Sequence, residues 1–424
     1  MPARVPLYLQ AMGRVRAAAP VALFFALWLL LSGCGGDEQL PFGLQSQVAA
    51  PADRATVMAF APDGRIFFGE QFTGAIRIIG ADGEAQTEPF AQVDTTSYIG
   101  QDWGLTGLAI DPAFESNHFV YAFYTALLKP ADPVPTDGSS PAVAPQGPIA
   151  KPVLVRFRDD NGVGVELTLV SDNFPETSQG HGDFNANGQI HFGPDGYLYV
   201  SVGDYDIFQE ERDRVRSLDN PIGKLLRIDA ATGGAAPGNP FAADPTADPR
   251  IFAYGFREPF DFAFQPESGR IYGTDNTTVS CEELNIIEAG KDYSWPDVGT
   301  FPFPDCTAGA GVDAIHIFAK EGVTPSEFLG SFVEVSGIDF VSGVEYPQLG
   351  DGLLVCELGT GVLRRLVLGG PNSDQVTAND VITTDCKRDV SVGPDGTIYY
   401  STDAEILRLV AGAAVSQSPS ARTP

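Results

Sequence analysis

Apolar and polar residues alternate in short runs along most of the chain, and six times the alternation breaks at a turn containing proline before it resumes. The copies read MAFAPDGRIFFGE around Pro62, LAIDPAFESNHFVYAFYT around Pro112, IHFGPDGYLYVSVGD around Pro194, FAFQPESGRIYGTD around Pro266, VEYPQLGDGLLVCEL around Pro347 and VSVGPDGTIYYSTD around Pro394. Each run has the period of two expected of a strand. Each break supplies a proline that fixes φ at the first corner and a Gly-containing or polar pair that closes the turn. The pattern predicts six hairpins. Successive prolines stand 50, 82, 72, 81 and 47 residues apart; the shortest spacing suits a four-stranded unit, and the longer ones such a unit plus an insertion of about 30 residues. One four-stranded sheet cannot bury both its faces, whereas six packed around an axis cover both. The expectation is therefore an all-β fold, a six-bladed β-propeller over residues 51–411 with long inter-strand loops at 129–152, 205–249 and 277–335. Loops on such a rigid ring are where function collects.

The first 33 residues break this pattern. Arg4, Arg14 and Arg16 precede an uninterrupted apolar run at 21–31, too short for a membrane-crossing helix of roughly 20 residues and suited to a secretory signal. Leu31-Ser32-Gly33-Cys34 follows, resembling the lipobox of bacterial lipoproteins. Processing there would make Cys34 the lipidated N-terminus, residues 34–50 a tether, and the lipid anchor the membrane contact. Gly35 in place of an aspartate points to the outer membrane, facing the periplasm or the cell surface. The last segment, 412–424, reads as a disordered tail.

Charge narrows the function classes. The chain holds 26 basic and 55 acidic residues, a net of −29, and loss of the signal removes three of the arginines. A nucleic-acid binder needs the opposite sign, so that class is excluded. The acids are scattered rather than spaced as in an EF-hand loop, which favours a solubilising role over dedicated calcium capacity. Besides Cys34 there are Cys281, Cys306, Cys356 and Cys386. An even count in an oxidising compartment predicts two disulfides, with neighbour pairing first among three connectivities.

Several segments, in order and spacing, resemble the glucose/sorbosone dehydrogenase family: DWGLTGLAIDPAF (102–114), GQIHFGPDGYLYVSVGD (188–204), IGKLLRID (222–229), GNPF (238–241), IFAYGFREPFDFAFQPESGRIYGTD (251–275), EELNIIEAGKDYSWP (282–296) and KRDVSVGPDG (387–396). The resemblance implies oxidation of an aldose with pyrroloquinoline quinone (PQQ) and calcium. Such chemistry needs a base for the hydroxyl proton while hydride leaves the anomeric carbon. Where active relatives carry a histidine in an H-x-G-G-like element, this chain has Asn185-Ala186-Asn187-Gly188; His181, four residues earlier and beside Asp183, is the candidate base. Of the other histidines, His191 reads as packed within a strand, His118 follows a turn and His316 sits in an apolar run.

For the cofactor's carboxylates the resemblance supplies Arg257 and Arg388, with Lys387 compensating for an expected lysine; Asp102 is a further cofactor-binding candidate. Glu258 stands where an asparagine is expected, Cys386 where an arginine is, and Gly359 where a lysine is. For calcium it points to carbonyls around Ser280-Cys281-Glu282-Glu283-Leu284-Asn285, with Asp275, Glu282 and Glu283 as further oxygen ligands. A bridge between Cys356 and Cys386 would turn the former cationic strand into a staple. Trp103, Trp295 and Tyr293 are candidates for stacking on a sugar, against the commoner fate of aromatic core packing. Two readings follow: a sugar dehydrogenase with a rearranged site, or a non-catalytic propeller that binds carbohydrate or protein at the cell envelope.

Overall fold

The computed structural model describes residues 39–95, 103–130, 148–177, 185–186, 188–205, 213–277, 281–295, 311–318 and 333–412. Six four-stranded antiparallel sheets form a six-bladed β-propeller. The chain opens with β1 (Leu44–Pro51), then builds blade 1 from β2 (Ala55–Phe60), β3 (Ile66–Glu70), β4 (Ala75–Ile79) and β5 (Ala91–Gln92). Blade 2 is β6 (Leu105–Ile110), β7 (Phe119–Lys129), β8 (Ile149–Asp159) and β9 (Gly164–Ser171). Blade 3 is β10 (Ile190–Phe192), β11 (Leu198–Val202), β12 (Lys224–Ile228) and β13 (Ile251–Tyr254); blade 4 is β14 (Phe262–Phe264), β15 (Ile271–Asp275), β16 (Glu282–Ile287) and β17 (His316–Phe318). Blade 5 is β18 (Val335–Val341), β19 (Gly352–Glu357), β20 (Leu363–Gly369) and β21 (Gln375–Thr383). Blade 6 takes β22 (Val390–Val392), β23 (Ile398–Ser401) and β24 (Glu405–Ala411), with β1 returning as its outermost strand.

Each of the six prolines lies in the turn between the innermost strand of a blade and the second. In three of them the turn is the same device: Gly64, Gly196 and Gly396 sit at φ 88°, 81° and 83°, a conformation open to glycine at little cost. The aspartate before each glycine caps the backbone N–H two residues on, as Asp395 does for Thr397 at 3.0 Å. These turns mark one end of the ring. At the other end, called the rim below, the inner strands begin and the second strands finish.

The core is not one slab but six, each between neighbouring blades. Phe67 and Ile76 of blade 1 pack with Leu105 and Tyr124 of blade 2; Tyr199 of blade 3 packs with Phe262 of blade 4; Met58 and Phe68 close the circle against Ile406 of blade 6. Both faces of every sheet are thereby covered, which explains why strands such as β3 and β11 are buried at every position.

Two boundaries differ from the sequence reading. The tether expected over 34–50 gives way at Leu44, because β1 pairs along β24 from Leu44↔Ala411 to Pro51↔Glu405. The segments 129–152, 205–249 and 277–335, read as insertions, also carry strands: β8 begins at Ile149, β12 lies within the second, and β16 and β17 lie within the third. Third and fourth strands lack the proline-turn signature, so the hairpin pattern passed over them. Residues 1–38 and 413–424, with the expected signal, Cys34 and the expected tail, lie outside the described residues; among those described, no helix is long and apolar enough to cross a membrane.

Candidate functional site at the rim

Arg257 and Glu258 lead into β14, and Lys387 and Arg388 lead into β22, so all four stand at the rim. Asp275, the last residue of β15, is 2% exposed and holds the Arg257–Glu258 corner through its carboxylate: Oδ2 accepts the N–H of Arg257 at 3.2 Å, and Oδ1 that of Glu258 at 2.7 Å. The Arg257 guanidinium donates to the carbonyls of Asn276 (3.0 Å) and Thr277 (3.5 Å) and lies 5.9 Å from the centre of the Trp295 ring. The carboxylate of Glu258 approaches it at 3.7 Å.

Arg388 donates to Gln71 Oε1 and to Asp403 Oδ1, both at 3.2 Å, while its buried Nε has no hydrogen-bond partner among the described residues. Gln71 is itself anchored on the Trp103 carbonyl at 3.0 Å. Lys387 Nζ reaches the Leu358 carbonyl at 3.2 Å, next to Gly359, where the family pattern expected a lysine. Cys386 is not a cation site: it is bonded to Cys356 across a Cα–Cα distance of 5.6 Å, tying β19 of blade 5 to the approach of β22 in blade 6. The neighbour pairing holds for these two. Cys281 is also disulfide-bonded, and its expected partner Cys306 lies outside the described residues.

His181, Asp183 and Asp102 lie outside the described residues as well. Asn185, at the place where the resemblance led one to expect the base, is buried, and its amide donates to Asp204 Oδ1 at 3.1 Å. The other oxygen of Asp204 accepts the Trp295 indole N–H at 3.0 Å, and the Asp204 backbone N–H donates to the Arg257 carbonyl at 2.7 Å. Trp295, Trp103 and Tyr293 are all buried, the packing outcome rather than an open stacking platform. Among the remaining histidines, His191 is half-buried and bound through Nε2 to Asp261 at 2.7 Å, so the packed reading misses its charge partner.

The three acids named as calcium ligands do not converge. Asp275 and Glu283 are cross-strand neighbours on one face, whereas alternation turns Glu282 to the other. Burial lifts both Glu282 and Glu283 to about 7, and it raises Asp275 well above the usual carboxylate range with the help of the facing Glu283. Among the described residues, no group of three or more His, Cys, Asp or Glu side chains is arranged to hold a metal ion. Both oxygens of Asp275 accept backbone N–H groups.

A signal for the missed residues was present. Five of the six second strands finish in or just before an acid: Glu70, Asp204, Asp275, Glu357 and Asp403. The first four are buried, an arrangement that requires a partner for each.

A model of the family described as glucose/sorbosone dehydrogenase matches residues 52–411. The aldose sugar dehydrogenase YliI of Escherichia coli K12 is 26% identical over 371 residues, which are 84% of this chain and 90% of that protein. A solved structure from Thermus thermophilus, described as an oxidoreductase (glucose dehydrogenase), superposes with a TM-score of 0.67 at 27% identity, covering 87% of this chain and all of the other. The PQQ-bound aldose sugar dehydrogenase of Streptomyces coelicolor shares the fold, with a TM-score of 0.64 at 21% identity over 87% of this chain and 99% of that one.

Proposed function

The chain belongs to the glucose/sorbosone dehydrogenase family, and we propose that it oxidises an aldose at the anomeric carbon with PQQ held at the rim, as a lipoprotein anchored through Cys34 in the cell envelope. The observation that carries this reading is a set of three cations, Arg257, Lys387 and Arg388, on segments leading into two inner strands at one end of the ring. A quinone bearing three carboxylates needs such a set, because an unpaired buried anion is costly. The buried Nε of Arg388, unpartnered among the described residues, is a donor of the kind that such a ligand satisfies. Glu258 offsets part of the charge, so the fit holds with weakened attraction rather than the full strength of three cations.

When bound, the quinone accepts hydride from the sugar. The protein's own tasks are to orient the cofactor's carboxylates through Arg257, Lys387 and Arg388 and to remove the hydroxyl proton. Asn185 cannot take that proton, since a carboxamide is not basic near neutral pH; His181, with Asp183 to orient it, is assigned the role. Calcium belongs to the same reading, through loop carbonyls rather than the three acids. The substituted positions, above all Asn185 on Asp204 and Cys386 in a disulfide, favour a second reading in which the rim binds carbohydrate or protein without turnover.

Adding PQQ and calcium to the purified protein, and following cofactor absorbance and then aldose-dependent dye reduction, separates the two. Stoichiometric uptake, with turnover lost in His181→Ala and uptake weakened at least tenfold in Arg257→Ala, is the expected result. Failure to take up PQQ would overturn the enzyme reading in favour of the binding module.

A further inference from the structure

We infer that Asp275 is the positioning residue of the rim, setting the place of Arg257 by capping the backbone corner from which that side chain springs. The inference deepens the cofactor-binding role proposed for Arg257, and its spatial part can be tested without the cofactor.

The four buried acids at the ends of second strands are used differently. Glu70 and Glu357 each bind an arginine of the next strand in their own blade, Arg77 at 2.9 Å and Arg364 respectively, and a threonine of the turn between, Thr73 and Thr360. Those two are blade staples. Asp204 takes side-chain donors from Asn185 and Trp295. Among the described residues, Asp275 alone of the four spends both oxygens on two consecutive backbone N–H groups, those of Arg257 and Glu258.

The consequence is geometric. Two N–H groups held by one rigid carboxylate fix the direction in which the Arg257 side chain leaves the backbone. The residues following Asp275 then receive its far end: Asn276 and Thr277 offer their carbonyls to the guanidinium. Asn276 is held in turn by its amide on the Val335 carbonyl of blade 5 at 2.9 Å. Root and tip of Arg257 are therefore both set by residues 275–277. An amide at 275 would keep one acceptor but turn an N–H₂ toward the second backbone N–H, so Asn is expected to fall between Asp and Ala.

Trp295 reports the outcome, since the guanidinium lies 5.9 Å from the centre of its ring. The Trp295 emission of the cofactor-free protein, assigned by difference from Trp295→Phe, is compared in wild type, Arg257→Ala, Asp275→Asn and Asp275→Ala. The spectrum of Asp275→Ala is expected to match that of Arg257→Ala, with Asp275→Asn between them and wild type; Glu283→Gln, which leaves the two caps in place, keeps the wild-type spectrum. Should Asp275→Ala fail to fold, the Asn variant decides alone. A wild-type spectrum in a folded position-275 variant would overturn the inference. In a second arm, PQQ affinity is measured by absorbance titration: Asp275→Ala is expected to lose tenfold or more, with no further loss in the Arg257→Ala/Asp275→Ala double variant, and additive losses count against the inference. If wild type takes up no PQQ, the functional reading fails while the emission arm still decides the role of Asp275.

Discussion

Lys224 shows how much a single residue of this fold can be asked to hold. It opens β12, is fully buried, and donates from Nζ to the carbonyls of Val215 (2.5 Å) and Ile222 (2.6 Å), pinning the rim segment that precedes its own strand. Burial pushes its ammonium down to about 7 against the pull of Asp219, Asp248 and Asp292. Replacing it with Met keeps the volume but leaves two buried carbonyls without a donor, at about 1 to 3 kcal/mol each. Lys224→Met is therefore expected to lower the denaturation midpoint in urea at pH 6 by an amount equivalent to about 2 kcal/mol or more; an unchanged midpoint would contradict the pinning role. In the sequence, IGKLLRID marked this lysine as part of a family segment and nothing marked it as buried. Arg257, Lys387 and Arg388 were legible because a motif named them. Asp204 and Gln71 were not, because a polar residue after a strand reads as a solvated turn until its partner is known.

At the scale of elements, the inner and second strands were legible from alternation and proline turns, while the outer strands were not. The reason is exposure: β9 and β21 carry irregular burial with several exposed positions, so no clean period survives in them. The same blindness hid β1, whose pairing with β24 brings together residues more than 350 apart in the chain. A staple between elements was foreshadowed by the even cysteine count, with neighbour pairing the first of three connectivities. The bond between Cys356 and Cys386 closes a 30-residue loop and joins two blades at the rim, for which chain entropy gives about 3 to 4 kcal/mol. The Cys356→Ala/Cys386→Ala variant is expected to melt several degrees lower and to expose the blade 5 to blade 6 seam first. Hydrogen exchange read by mass spectrometry would show faster exchange in β19 and β22 than in β7 or β8, and uniform acceleration across the ring would count against a local seam.

The whole molecule rests on a ring whose axis is partly acidic. Three aspartates bridge consecutive inner strands: Asp261 accepts the N–H of Ile338, Asp339 that of Val392, and Asp389 that of Met58, at 2.7 to 2.9 Å. They join blade 4 to 5, 5 to 6 and 6 to 1, the last being the junction at which the circle closes. Burial raises Asp339 to about 6 and Asp389 to about 8; His191, set against Asp261, is also held above its ordinary value, the surrounding carboxylates outweighing its burial. Glu282, Glu283 and Asp275 are raised in the same direction. An acid whose pKa is higher in the folded state binds more protons there than in the unfolded chain. Between its unfolded and folded pKa values, stability therefore falls as pH rises. His191 has the same sign, its contribution being full below the unfolded value and lost as pH climbs through the folded one. The exposed acids lowered by hydrogen-bond partners, such as Asp63, Asp219 and Asp244, act in the opposite sense but only around and below their ordinary range near pH 4. Lys224, brought down to about 7 by burial, and His316, lowered by burial, act in the opposite sense, the lysine mainly above pH 7, whereas the raised acids and His191 dominate below it. Calorimetry is thus expected to show a melting temperature that declines from pH 5 to pH 7. Asp389→Asn should flatten that slope above pH 6, since Asn keeps an acceptor for Met58 while removing the ionisation. A melting temperature that is level or rising over this range would mean that the axial carboxylates fold already charged, and that the closing junction is held by ionic rather than protonated groups.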